Sequence, residues 1–114
     1  MRRKIPLLTT VFVLLAGAVY AHPPTDITIN YDPATQIVTA VIIHPVKDTT
    51  KHFINKADVS LNGREVVSLP FQQQETKVSQ TVNYKLTGAK AGDVISIEGY
   101  CNLSGKLAKE LKIK

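Results

Sequence analysis

From position 25 onward, apolar and polar residues alternate in short runs separated by turn signals. That period of two is the signature of half-buried strands. Thr25 to Tyr31 alternates in this way, and Asp32-Pro33-Ala34-Thr35 follows as a turn, in which Asp can bond back to the backbone and Pro sets φ. Gln36 to His44 is a β-branched run with apolar residues on both faces, which predicts a central strand covered on each side and ended by Pro45. His52 to Leu61 is the next strand, with Phe53, Ala57, Val59 and Leu61 on one face. Asn62-Gly63 is the strongest hairpin signal, because a type I′ turn needs φ > 0 at both central positions. Arg64 to Leu69 is then its partner strand.

Pro70 to Glu75 reads as a polar connection. Lys77 to Leu86 predicts a strand with Val78, Val82, Tyr84 and Leu86 on one face. Gly88 to Asp93 is a loop. Val94 to Cys101 is a strand in which Ile95, Ile97, Gly99 and Cys101 share a face. Gly105 turns the chain, and Leu107 to Ile113 is a last strand, although Lys106 to Leu111 has a composition that also suits a short helix. About seven short strands with turns every 8–12 residues predict an all-β fold, an immunoglobulin-like antiparallel β-sandwich.

Residues 1–21 do not belong to that domain. Met1-Arg2-Arg3-Lys4 is a basic head, Ile5 to Val19 is almost wholly apolar, and Val19-Tyr20-Ala21 offers a small-residue cleavage site. This predicts a signal peptide cut after Ala21, with an exported domain over 22–114, periplasmic or extracellular. The apolar run is short for a membrane span, so no membrane association is expected after cleavage. Cleavage removes the charges of Arg2, Arg3 and Lys4, so the net charge of +5 drops to +2. The remaining lysines are scattered without aromatic interleaving, and nothing points to nucleic acid.

Composition also narrows the chemistry. There is no serine elbow, no phosphate-cradling glycine loop and no obvious pair of catalytic carboxylates. One cysteine, Cys101, permits no internal disulfide, and a lone thiol in an oxidising compartment calls for burial, a partner chain or a metal. The three histidines are His22, His44 and His52. His44 ends one strand and His52 starts the next, which puts both at one end of the sandwich. Cys101 ends another strand and His22 precedes the first. Imidazoles with a thiolate suit iron, copper or zinc rather than magnesium or calcium.

These residues resemble the iron-binding domain of the desulfoferrodoxin/superoxide reductase family. The resemblance rests on His22, on His44-Pro45, on His52-Phe53-Ile54, on Asn62-Gly63 and on Cys101-Asn102-Leu103-Ser104-Gly105, in that order across nearly all of the segment 22–114. It implies an immunoglobulin-like sandwich, non-haem iron held by His22, His44, His52 and Cys101, superoxide as substrate and a small redox protein as electron donor. The sequence departs from the family pattern in three places. Ser104 stands where the pattern has a fourth histidine, the segment from His44 to His52 is about two residues longer, and Ala21 stands where active enzymes carry a lysine. Cleavage after Ala21 would free the amine of His22, which with its imidazole could replace the missing nitrogen and favour copper. Two further readings therefore accompany the first: a copper-binding or electron-transfer protein that uses the N-terminal histidine, and a metal-free immunoglobulin-like binding module.

Overall fold

Each alternating run of the sequence is a strand in the computed structural model, which describes residues 21–114. The seven strands are β1 (Asp26–Asp32), β2 (Ile37–Ile43), β3 (Ile54–Leu61), β4 (Arg64–Pro70), β5 (Ser79–Lys85), β6 (Val94–Cys101) and β7 (Lys106–Lys112). Apart from Ala21, the segment read as a signal peptide lies outside the described residues. Among the described residues there is no helix, and the final segment is strand β7, as its shortness and its place after a strand and turn favoured over its helix-compatible composition.

The strands form two antiparallel sheets, ordered β1-β2-β5 and β4-β3-β6-β7. The chain changes sheet between β2 and β3, between β4 and β5, and again between β5 and β6. This is the Greek-key connectivity of a β-sandwich. The core lies between the sheets. Ile27, Val38, Ala40, Ile42 and Val82 come from the first, and Ile54, Ala57, Val59, Ile95 and Ile97 from the second. The β3–β4 hairpin turns at Asn62 (φ 51°) and Gly63 (φ 82°), the two positive values that a type I′ turn needs. In the β1–β2 turn the Asp32 carboxylate accepts the Ala34 N–H at 2.9 Å, the local bond its sequence suggests.

Three details depart from the alternation. β2 is central in its sheet, but its second face is not covered: Val38, Ala40 and Ile42 are buried while Ile37 is exposed and Val41 and Ile43 are half-buried. Among the described residues no layer covers the outer face of this three-stranded sheet. In β3 the register shifts between Ile54 and Lys56. Such a bulge inserts one residue and reverses the parity on its far side, so Ile54 rather than Phe53 joins Ala57 and Val59 in the core. On the third point, Val78 lies outside β5 and is exposed, and Gln80 is the buried residue there.

A Cβ built on Gly99 would lie 3.0 Å from Ile42 Cγ2, so β6 and β2 approach as closely as glycine allows. Gly99 is two residues before Cys101, and Ile42 two before His44. This tight contact of β6 with β2 therefore stands two residues from the end that carries the histidines.

Candidate metal centre

His44 follows β2 directly and continues its pairing: its N–H donates to Val78 O at 2.8 Å, and Val46 N–H to Lys77 O at 2.8 Å. This alternation keeps the imidazole on the inner side, and His44 is fully buried. His52 lies two residues before β3, in the loop rather than at the strand's start as the sequence pattern suggested. Asp48 shapes that loop. Its carboxylate accepts the Thr50 N–H at 2.9 Å and the Thr50 hydroxyl at 2.6 Å, and its carbonyl accepts the N–H groups of Lys51 and His52 at 3.1 and 3.0 Å. The Thr50 hydroxyl first, then the Thr50 N–H, hold the Asp48 carboxyl below its ordinary pKa. A short acceptor side chain followed by two threonines is a turn-capping signal, and it delivers His52 back toward His44.

His22 arrives from the arm ahead of β1. The arm is fitted against the β6–β7 turn, where Gly105 adopts φ +79° and a Cβ there would stand 2.8 Å from Pro23 Cβ. Thr25 N–H donates to Ile43 O at 2.9 Å and fastens the arm to the end of β2.

These three segments bring the three imidazoles together. Ring centroids are 4.8 Å apart for His22–His44, 5.1 Å for His22–His52 and 4.7 Å for His44–His52. One ring nitrogen of each lies within 4.8 Å of those of the others. Metal–nitrogen bonds of about 2.0–2.1 Å require ligand nitrogens no more than roughly 4 Å apart, so small ring rotations would complete a site. His52 Nε2 is buried and has no hydrogen-bond partner among the described residues. Burial, then the neighbouring His44 and His22, push the His52 pKa below its ordinary value, and a hydrogen bond to the His22 backbone pulls the other way. The net direction favours the neutral ring that a metal needs.

The oxygens around the other two rings point the same way. His22 Nδ1 and Nε2 lie 2.9 and 3.0 Å from Pro23 O and Pro45 O. His44 Nδ1 and Nε2 lie 2.8 and 3.0 Å from Gln74 Oε1 and His22 O. All four oxygens are acceptors, and two neutral imidazoles carry only one N–H each. A neutral ring in this setting turns one lone pair toward an oxygen, which a proton or a metal ion relieves.

Cys101 is not a member of the three-histidine group. It is buried at the same end of the sandwich, with Ile54 as its register partner on β3. Its Sγ accepts the Leu103 N–H at 3.4 Å. Ser104 is exposed in the turn that follows. Beside the histidines opens a cavity of about 600 Å³, lined by His22 and His52, by Lys47, Asp48 and Lys51, and by Pro45, Val46 and Leu103.

Two residues outside the expected ligand set hold this site together. Gln74, which falls in the polar connection, is 2% exposed and bonded to both sides of the cluster. Asn102 ties the turn after β6 to the loop that carries His52: its Nδ2–H donates to Lys51 O at 3.1 Å. Asn102 lies in the Cys-Asn-x-x-Gly stretch and so had a signal. Gln74 had none, because it is one of three consecutive glutamines.

The class that fold and site define is a β-sandwich with a three-histidine group suited to a metal ion. Compared with protein-family models, with curated proteins and with solved structures, the chain gives no match.

Proposed function

We propose that the chain is an exported redox domain of the superoxide-reductase type, with non-haem iron held by His22, His44 and His52 and with Cys101 as thiolate ligand. The observation that carries the reading is the convergence of three imidazoles, with the buried His52 Nε2 unpartnered among the described residues. The family resemblance in the sequence supplies the identity of the metal and the substrate. Bound there, iron would supply a one-electron couple for reducing superoxide, with electrons from a small donor protein.

The chain's own residues supply the rest. Burial of His44 and the local shape imposed by Asp48 hold two imidazoles in place without a metal. Lys47 and Lys51 line the adjoining cavity with the Asp48 carboxylate, and the balance of two cations to one anion favours an incoming anion. They offer the positive charge that the family pattern places at the position of Ala21.

A copper reading is favoured by one specific feature. His22 belongs to the arm, next to the expected cleavage site, and Ser104 stands exposed where a fourth imidazole would be. Three imidazoles, with the amine freed at His22, make a nitrogen-rich set that suits copper.

Metal analysis of the exported protein tests both readings. Stoichiometric iron, a visible thiolate-to-metal band on oxidation and loss of that band in Cys101→Ser support the first. Copper with no such band, in a protein that begins at His22, supports the second. A protein that binds neither metal leaves the sandwich as a binding module.

A further inference from the structure

Gln74 lies in a loop 30 residues from His44, yet each of its amide atoms is committed. Its Nε2 donates to His44 O at 2.7 Å and to Thr76 O at 2.9 Å. Carbonyl oxygens only accept, so these two bonds fix which end of the amide is nitrogen. Its Oε1 accepts the Ile54 N–H at 3.1 Å, in agreement. The remaining contact of Oε1, to His44 Nδ1 at 2.8 Å, is then a hydrogen bond only when Nδ1 carries the proton.

We infer that Gln74 is a positioning residue that sets His44 as a metal ligand through Nε2, by holding the imidazole in its Nδ1–H tautomer. A neutral ring has one lone pair, and with Nδ1 protonated that pair lies on Nε2. Nε2 lies 3.0 Å from His22 O, which is an acceptor too, so the single N–H of a neutral ring serves one oxygen or the other; the shorter contact, 2.8 Å to the Oε1 that Gln74 holds fixed, assigns it to Nδ1. Gln74 also couples two ligands: Oε1 grips the N–H of Ile54, two residues after His52, and the Gln74 N–H donates to Thr49 O within the loop that delivers His52. Hydrogen bonds from the far nitrogen of a ligating histidine to a fixed acceptor orient the ring and raise its affinity.

The role as a positioning residue rests on the metal reading, but the tautomer does not, and the two are tested separately. Nitrogen-15 NMR of the chelator-treated wild-type protein at about pH 8, above the ordinary histidine pKa of about 6.5, reads the tautomer directly. The Nδ1–H pattern for His44 is expected, and the Nε2–H pattern would overturn the inference. For the metal, Co²⁺ serves as the probe through its visible ligand-field bands. Gln74→Leu and Gln74→Glu both lose the two amide donors, but only Glu keeps an oxygen for His44 Nδ1–H. Gln74→Leu should bind Co²⁺ 10- to 100-fold more weakly than wild type, and Gln74→Glu should recover most of that loss. Equal affinities for the two variants would overturn the positioning role. If wild type binds no Co²⁺ while His44 shows the Nδ1–H tautomer, the metal reading fails and the tautomer assignment stands. If the Leu variant does not fold, the wild-type spectrum still decides the tautomer, and Gln74→Glu is compared with wild type.

Discussion

Asn102 and Phe53 hold each other by two backbone-directed bonds: Asn102 Oδ1 accepts the Phe53 N–H at 2.8 Å, and the Asn102 N–H donates to Phe53 O at 2.9 Å. Phe53 follows His52, so the turn after Cys101 is clamped to the residue next to a candidate ligand. Asn102→Ala leaves the Phe53 N–H without its acceptor, and a lost partner of this kind costs about 1–3 kcal/mol. We expect a lower denaturant midpoint and weaker Co²⁺ binding, although no ligand is removed. Asn102→Asp keeps the acceptor and loses only the bond to Lys51 O, so it should bind Co²⁺ more tightly than the alanine variant. Equal binding by the two variants would show that the clamp does not position His52.

The arm that carries His22 is held by a contact that only glycine permits. Gly105→Ala meets both a positive φ and Pro23 Cβ at 2.8 Å. Gly88→Ala meets a similar φ of +85° with nothing within 4 Å. The backbone cost of a left-handed alanine is about 1–2 kcal/mol and should appear in both variants by chemical denaturation. The excess in Gly105→Ala measures the Pro23 contact. Only that variant should lose Co²⁺ affinity, because only it displaces the arm. A Gly88→Ala variant that lost affinity equally would remove the arm from the explanation.

The strands were legible because alternation in sequence is the same thing as facing in a sheet. Val94 to Cys101 shows this plainly, since every second residue is buried. What escaped was set by single insertions and by the third dimension. One extra residue between Ile54 and Lys56 reverses parity, and no apolar pattern marks it. The histidines were legible as a set because His44 and Pro45 end a strand and His52 lies a short loop later. Gln74 was not legible. Gln72, Gln73 and Gln74 are chemically identical, and only the path of the chain selects Gln74 for burial.

His52 should make the metal-free protein sensitive to mild acid. Its pKa is held below the ordinary 6.5, by burial first and then by His44 and His22. The unfolded chain therefore takes up this proton at a higher pH than the native one. The stability that His52 contributes is fully present above about pH 6.5 and is lost as pH falls through its lower native value. Denaturant midpoints of chelator-treated protein should decline across that window. His52→Gln, which has no such proton to bind, should decline less. Parallel curves for the two proteins would place the acid sensitivity elsewhere.

Metal binding should appear as stability before it appears as activity. A ligand that binds only the native state at about 100 times its Kd adds about 2.7 kcal/mol. For a domain of this size each kcal/mol moves Tm by roughly 4–8 °C, so saturating Co²⁺ should raise Tm by about 10–20 °C, and a chelator should reverse it. His22→Ala is the cleanest variant, because His22 lies on the half-buried arm rather than in the core. It should fold in chelator with a Tm lowered only by its lost Pro45 contact and ring packing, and lose most of the Co²⁺ shift. Cys101→Ser separates the imidazoles from the thiol. If Cys101 is a ligand, the near-ultraviolet sulfur-to-cobalt band disappears in the serine variant and the shift shrinks. If the three imidazoles act alone, Cys101→Ser keeps the full shift and wild type shows no such band. A wild-type protein whose Tm ignores Fe²⁺, Co²⁺, Zn²⁺ and Cu²⁺ alike would end the metal reading of the three-histidine group.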